Sequence, residues 1–236
     1  ITTGGGSGST NGVMSFDMSN GGNNTLNLGP GNFPKTFSYI GGPGTDTLIA
    51  ATAFMVFGSH STVFDMTDGG ANTLTFNGAA IGASGTKLDY QGGAGADKIL
   101  ASANFLYGVD TSTVSLGAGA DELSIAGDTH VSSPLSTITV DLGNDTDGDK
   151  IEFHGYVNAG SYPISTYTIQ NFKVGDDSIL LGLPTATSQV VLNVASGDTQ
   201  VTYSAFGSPT VQFTIEGVAL TAANLSLTGG GDVLIS

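Results

Sequence analysis

The stretch GGAGADKIL, from Gly92 to Leu100, decides the fold of this chain. It fits the nonapeptide G-G-x-G-x-D-x-U-x, in which U is a large aliphatic residue. The glycines permit backbone turns at positive φ, the aspartate supplies a hard anionic oxygen, and the aliphatic residue points inward. The pattern recurs in GGPGTDTLI (41–49) and, with one change, in LGAGADELS (116–124). These copies predict stacked turns, each followed by a short strand.

The nonapeptides lie inside a longer repeat. SFDMSNGGNNTLNL from Ser15 resembles TVFDMTDGGANTLTF from Thr62, and the stretch from Gly41 resembles the one from Gly92. Each pair is about 50 residues apart, so the repeat holds two turn-plus-strand units of about 25 residues. A unit this short buries its apolar face only by stacking on its neighbours, which predicts the coils of a parallel β-helix.

The fold class is therefore predicted as all-β: a right-handed parallel β-helix, or β-roll, with a C-terminal β-rich cap. The helix occupies residues 15–165. Residues 1–14 are interpreted as a linker or the start of a fragment, because the chain begins at Ile1 without Met. Residues 166–236 form the cap, where longer alternating strands and an SGD turn indicate antiparallel pairing that closes the open end.

Composition excludes several classes of partner. The net charge is -15, there is no Arg, and Asp occurs seventeen times against three Glu. Without a basic patch we expect no binding to nucleic acid or to a bare anionic membrane. No apolar run approaches the roughly 20 residues of a transmembrane helix. Short aspartates in glycine-rich turns instead suit metal binding or Asx-turns.

The motifs resemble the C-terminal part of bacterial RTX proteins, which leave the cell by type I secretion. The nonapeptides carry one half of this resemblance. The other half is NFKVGDDSILLGL (171–183), which is similar to the segment after the RTX repeats, and the hairpin-like VTYSAFGSPTVQFTIEGVALTAANLSL (201–227). The resemblance implies Ca²⁺ as cofactor, a secretion signal in the last few tens of residues, and a secreted protein at the cell surface. The composition is similar to that of surface-layer (S-layer) proteins of this group.

The chain departs from the RTX pattern in one respect. RTX nonapeptides run in tandem, whereas here one occurs per unit of about 25 residues, and Asn24 and Asn72 replace Asp. We therefore expect larger coils and fewer calcium sites, with the asparagines forming amide ladders or filling turns.

The predicted metal ligands fall into three groups. The nonapeptide aspartates are Asp46, Asp97 and Asp121. The acidic run 145–149 adds Asp145, Asp147 and Asp149, and the cap adds Asp177. The resemblance implies further ligands in the backbone carbonyls of Gly42, Gly44, Gly93, Gly95, Gly117 and Gly119. The alternative for each aspartate is an Asx-turn without metal.

A second line of carboxylates is suggested by the periodic recurrence of aspartate just before the turns. Its members are Asp17, Asp65, Asp89 and Asp141. A second calcium ladder and ordinary solvated strand positions are equally compatible with this pattern.

No catalytic residues are predicted. H-E-x-x-H and G-x-S-x-G are absent, and the lack of Arg disfavours polysaccharide lyase chemistry, so we expect no enzyme activity. The predicted function is a secreted, calcium-dependent structural protein that self-assembles into an extracellular layer, filament or matrix. Its expected partners are other copies of itself, cell-surface polysaccharide and the type I secretion machinery. The alternatives are an adhesin for glycan or ice, with the Thr-x-Thr repeats judged too irregular for ice, and the secretion domain of an exoenzyme.

Overall fold

The structure is a computed structural model that describes most of the chain. The described residues are 2–3, 12–29, 31–32, 36–50, 54–56, 61–77, 80–81, 87–101, 111–126, 137–154, 166–182, 186–205 and 208–236. Within them, no helix is long and apolar enough to cross a bilayer.

Two ten-stranded sheets, sheet I and sheet II, form the body of the molecule. In spatial order sheet I consists of β1 (Thr2–Thr3), β3 (Asn24–Leu28), β6 (Asp46–Ala50), β9 (Thr73–Phe76), β12 (Lys98–Ala101), β14 (Glu122–Ala126), β16 (Lys150–His154), β18 (Ser178–Leu181), β23 (Val233–Ile235) and β22 (Leu225–Leu227). Sheet II consists of β2 (Val13–Asp17), β5 (Thr36–Ile40), β8 (Ser61–Asp65), β11 (Lys87–Gln91), β13 (Thr111–Ser115), β15 (Thr137–Asp141), β17 (Thr166–Gln170), β21 (Ser208–Ile215), β20 (Asp198–Ala205) and β19 (Val190–Ala195).

Shorter elements complete the described structure. A three-stranded sheet consists of β4 (Gly31–Asn32), β7 (Phe54–Val56) and β10 (Ala80–Ile81), and two 3₁₀ helices are η1 (Thr187–Gln189) and η2 (Ala222–Asn224).

The chain winds as a parallel β-solenoid with about 26 residues per turn, which confirms the predicted fold class. Each strand of sheet II leads through a turn into a strand of sheet I, and the next coil stacks on it in parallel register. The aliphatic position of the nonapeptide forms one buried row along sheet I. Its members are Leu26, Leu48, Leu74, Ile99, Leu123, Ile151 and Ile179.

Aromatic side chains bridge the two sheets inside the solenoid. Between ring centroids, Phe64 of sheet II lies 5.5 Å from Phe37 of the same sheet and 6.1 Å from Phe76 of sheet I. Farther along, Phe153 of sheet I stacks on Phe213 of sheet II at 5.2 Å. These contacts add to area burial and hold the sheets at a constant spacing.

The strands become antiparallel later than the sequence indicated. β17 and β18 still pair in parallel with β15 and β16, because the segment 166–181 repeats the strand–turn–strand pattern of the coils. Antiparallel pairing begins at Val190, where β19 and β20 form a hairpin through Ser196 (φ 57°) and Gly197 (φ 94°). Both turn residues have positive φ, as a type I′ hairpin requires.

Candidate metal centre

One column of turns lies along a single edge of the solenoid, where sheet II passes into sheet I. Buried aspartates and asparagines occupy equivalent positions in successive turns, and we call this set the aspartate ladder. Its members, from the N-terminal coil onward, are Asn24, Asp46, Asn72, Asp97, Asp121, Asp149 and Asp177.

Every rung of the ladder is closed by the same hydrogen bond. The backbone N–H of each ladder residue except the last, Asp177, donates to Oδ1 of the ladder residue in the next coil. The donor–acceptor distances are 3.1 Å for Asn24–Asp46, 2.9 Å for Asp46–Asn72, 2.8 Å for Asn72–Asp97, 2.6 Å for Asp97–Asp121, 2.8 Å for Asp121–Asp149 and 3.0 Å for Asp149–Asp177. The ladder therefore satisfies buried backbone donors that the turns would otherwise leave unpaired.

In ladder aspartates such as Asp46 and Asp97, the second carboxylate oxygen, Oδ2, accepts a hydrogen bond from the turn that precedes the residue. Oδ2 of Asp46 accepts from Gly42 N at 2.9 Å, and Oδ2 of Asp97 accepts from Gly93 N at 3.2 Å. Oδ2 of Asp97 also accepts from the Tyr90 hydroxyl at 3.0 Å. Oδ2 of Asp121 differs, because it is buried and has no hydrogen-bond partner.

The turns stack so closely that glycine is required in them. Gly117 has φ 98° and Gly143 has φ 89°, a region that L side chains rarely adopt. A Cβ atom at Gly117 would overlap the carbonyl oxygen of Gly93, and one at Gly143 would overlap that of Gly117. Backbone carbonyls of one turn thus point at the backbone of the next.

Burial in the ladder works against ionisation of its carboxyl groups. The pKa of Asp121 is raised to about 8, chiefly by burial; the hydrogen bond from Asp97 lowers it, and the charges of Asp149, Asp97 and Asp145 add to the rise. Burial likewise raises the pKa of Asp149 to about 7, with Asp177 as the largest charge contribution. The pKa of Asp97 is also raised, chiefly by burial.

Charge is distributed unevenly along the ladder. In the N-terminal half asparagine alternates with aspartate, so Asp46 has the neutral Asn24 and Asn72 as its two ladder neighbours. From Asp97 onward every member is an aspartate. Mutual repulsion between carboxylates therefore concentrates in the C-terminal coils.

The structure places the predicted aspartates in one column without gathering them around one point. Asp46, Asp97, Asp121, Asp149 and Asp177 are all buried ladder members. In the described residues, no three acidic or histidine side chains converge in positions suited to a metal ion. A cation would thus need backbone oxygens beside one or two carboxylates.

The remaining predicted ligands lie in the same column. Asp145 stands in the wide turn before Asp149, where its Oδ2 accepts from Gly119 N at 3.1 Å and its Oδ1 from Asp147 N at 2.9 Å. Asp147 is exposed.

Two of the glycine carbonyls predicted as ligands accept hydrogen bonds from the adjacent turn. Gly44 O accepts from Gly70 N at 3.2 Å, and Gly93 O accepts from Ala118 N at 2.8 Å. Gly42, Gly95, Gly117 and Gly119 lie in the same stacked turns. Calcium ligation by these carbonyls stays a prediction.

The suggested second line of carboxylates is not continuous. Asp17 and Asp65 share one row of sheet II but are separated by Ile40. Farther along that row Gln91 and Ser115 precede Asp141, whereas Asp89 lies two residues off the row, opposite Val63 and Thr113. Of the two alternatives, this register favours ordinary solvated strand positions over a continuous second ladder, because coil lengths vary and equal spacing in sequence is not equal register.

Local caps account for several of these exposed carboxylates. Asp17 accepts from the backbone and hydroxyl of Ser19, and Asp65 accepts in the same way from Thr67. These bonds to Ser19 lower the pKa of Asp17.

Sequence reasoning missed the hydrogen-bonding role of the ladder. The signal was present at Asn24 and Asn72, because a position that takes either Asp or Asn needs an acceptor oxygen rather than a charge. The contact between Tyr90 and Asp97 was also missed.

No family model, curated protein or solved structure matches this chain.

Replacing Asp121 separates its acceptor role from its charge. Asp121→Ala leaves the buried Asp97 N–H unpaired and should lower the free energy of unfolding by about 1–3 kcal/mol in chelator. Asp121→Asn keeps Oδ1 and should cost less than about 1 kcal/mol, or stabilise. Urea unfolding with Asp68→Ala, an exposed turn residue, as control provides the measurement; equal losses for Ala and Asn would contradict the ladder.

Stability without metal should fall as the pH rises. Because the folded pKa of Asp121 is about 8 and that of Asp149 about 7, against about 4 when unfolded, the native state binds more protons between pH 4 and 8. The stabilising contribution is complete below pH 4 and lost through pH 7–8. Urea midpoints in chelator from pH 5 to 8.5 should decline, less steeply in Asp121→Asn; a flat or rising profile would refute this linkage.

Proposed function

We propose that this chain is a secreted structural protein whose stacked turns bind Ca²⁺ and which self-assembles into an extracellular layer, filament or matrix. The observation that carries the proposal is the unbroken run of buried aspartates from Asp97 to Asp177, within which burial raises the pKa of Asp97, Asp121 and Asp149. The two nearest lysines do not relieve this charge, because Lys98 pairs with Glu122 at 2.9 Å and Lys150 pairs with Glu152.

The residues present fit a calcium ion. Calcium takes six to eight oxygen ligands from carboxylates, carbonyls and water. Asp121 offers a buried oxygen without a partner, and Gly117 and Gly143 let the carbonyl oxygens of adjacent turns approach closely. The nearby Asp145 contributes negative charge strongly enough to raise the pKa of both Asp121 and Asp149.

Asp121, with one neighbouring carboxylate such as Asp149, would therefore hold the ion beside turn carbonyls such as that of Gly117. The ion would neutralise the carboxylates and allow consecutive coils to stack without protonation. Ladder residues keep their backbone bonds through Oδ1 and use the remaining oxygen for the ion. Where calcium is scarce the repelling turns favour an extended, exportable chain; where it is abundant, binding drives folding.

A structural role is supported by the solenoid itself. Each coil contacts chiefly its neighbours, so the molecule is a rod whose two sheets present long rows of side chains along its axis. Such rods suit lateral or end-to-end packing in a layer or filament.

Calcium should raise thermal stability in proportion to its affinity. At a concentration of 100 times Kd, the gain should reach about 2.7 kcal/mol per site. Melting curves by circular dichroism, recorded in chelator and in a calcium series, provide the measurement. Asp121→Asn should reduce the calcium-dependent gain, Asp68→Ala should keep it, and magnesium should substitute poorly because it demands octahedral geometry.

Two outcomes bear on this proposal. Melting curves that coincide in chelator and in millimolar calcium would refute calcium-dependent folding. Electron microscopy should show layers or filaments only in calcium; monodisperse monomers at every calcium concentration would refute self-assembly.

A second candidate, an adhesin for an ordered surface such as ice, is favoured by one observation. Three successive strands of sheet II carry Thr-x-Thr with both threonines in register. One row across the strands consists of Thr111, Thr137 and Thr166. The other consists of Thr113, Thr139 and Thr168. Strand geometry sets them about 4.8 Å apart between strands and about 6.6 Å along them. The sequence concealed this array because the coils differ in length.

Replacing Thr139 tests the second candidate. Thr139→Lys would break the array, whereas Thr75→Lys, on sheet I, would leave it intact. If the adhesin candidate holds, the unaltered protein and Thr75→Lys shape growing ice crystals, and Thr139→Lys does not. Unaltered ice growth with the unaltered protein would eliminate ice as the ligand.

A further inference from the structure

The two sheets end unevenly at the C-terminal end of the solenoid. Beyond β17, sheet II continues with three strands, β21, β20 and β19. Beyond β18, which belongs to the same coil as β17, sheet I continues with only β23 and β22. Sheet II therefore projects past sheet I by one strand, β19. In sheet I, the position beyond β22 that lies opposite β19 has no strand among the described residues.

The side chains on the inward face of β19 lie opposite this unfilled position beyond β22. Along its inward row, Val190 is 8% exposed, Leu192 is half-buried and Val194 is 46% exposed. On β22, Leu225 is half-buried and Leu227 is 53% exposed. A groove of about 440 Å³ lies between the two strands, with Val190, Leu192 and Leu225 in its wall. The core of the solenoid is thus progressively uncovered toward this end.

This end carries few charges, although the net charge of the chain is -15; the nearest are Asp198, opposite Ala195 of β19, and Asp232, just before β23. The segments 178–197 and 217–231, which include β19, β22, η1 and η2, contain no Asp, Glu, Lys, Arg or His. A second copy of the chain would be repelled along most of its surface at low salt, whereas the strands β19 and β22 would meet through uncharged side chains.

We propose that two copies of this chain join tail to tail, with β19 of each copy filling the open position beside β22 of the other. The proposal rests on the self-assembly in the proposed function and adds one of the surfaces that such assembly would use, the one that pairs two rods; it does not require calcium at the joint.

Strand order makes the joint self-complementary. A two-fold axis along the strand direction, between the sheets, places sheet II of one copy in line with sheet I of the other. The one-strand projection of each copy then meets the one-strand gap of its partner. Such an isologous contact closes on itself, because the same patch serves both copies.

Strand directions also agree with this arrangement. β19 runs parallel to β17, and β22 runs parallel to β18, as their successive antiparallel pairings require. β17 and β18 are joined by a tight turn between facing sheets and so run oppositely. The added β19 would therefore pair with β22 antiparallel, as strands added to a free sheet edge commonly do.

Charge at Val194 tests the joint. In the joint, Val194→Asp would bury an unpaired carboxylate and should raise the dimer Kd at least about 100-fold. Val191→Asp is the matched control, because Val191 is 60% exposed on the opposite face of the same strand. Val13→Asp, 75% exposed on β2, is the control at the other end of the rod. Sedimentation velocity in calcium, with circular dichroism to verify folding, gives the dimer Kd of each protein.

A charge pair separates the joint from a loss of folding. Adding Leu225→Lys to Val194→Asp places opposite charges at the same level of neighbouring strands in the joint and should recover at least about tenfold of the lost affinity. A monomeric unaltered protein, an undiminished dimer in Val194→Asp, or dimer loss in Val13→Asp alone would each overturn the proposal.

The same samples distinguish this inference from the proposed function. Dimers that persist in chelator, with no effect of calcium on melting, would refute calcium-dependent folding and leave the tail joint standing. Calcium-dependent assembly that Val194→Asp does not alter would refute the joint and leave the proposed function standing.

Discussion

The backbone N–H of each ladder residue except the last donates to the side chain of the ladder residue in the next coil, and the rest of the structure depends on this bond. Buried turns leave backbone donors that neither sheet can pair, and an unpaired buried donor costs about 1–3 kcal/mol. One short oxygen-bearing side chain per coil satisfies them. The bond also fixes the register between coils, which aligns the aliphatic row of sheet I above and below.

The same bond creates an electrostatic problem that differs along the rod. Asparagine supplies the acceptor without charge, as Asn72 does for the N–H of Asp46. The C-terminal coils use aspartate at every rung, and the pKa of Asp121 and of Asp149 is raised there, so a proton or a cation would relieve the repulsion between these two groups. Backbone pairing alone would be served by asparagine throughout. The run from Asp97 to Asp177 therefore carries charge that the backbone bonds do not require, and the proposed calcium sites rest on that excess.

The sequence predicts the coil because each turn is local and its glycines, aspartate and aliphatic residue recur together. Asp97 and Ile99 take their expected places, and so do their counterparts in the other nonapeptides. What depends on register between coils was less predictable. Asp89 lies off the row of Asp65, and the threonines of β13, β15 and β17 align although their sequence spacing differs. Coil-length variation is absorbed in the segments between the sheets, so it leaves no trace in the motifs.

Diffraction from crystals grown in calcium, at a wavelength where calcium scatters anomalously, tests the central claim most directly. The account predicts anomalous peaks between successive turns from Asp97 to Asp177, with carboxylate and carbonyl oxygens at about 2.3–2.6 Å. It also predicts that the backbone bonds of the ladder persist beside the ions. An intact ladder with no peak in any of these turns would show that hydrogen bonds and protons alone stabilise the aspartates, and would contradict the account.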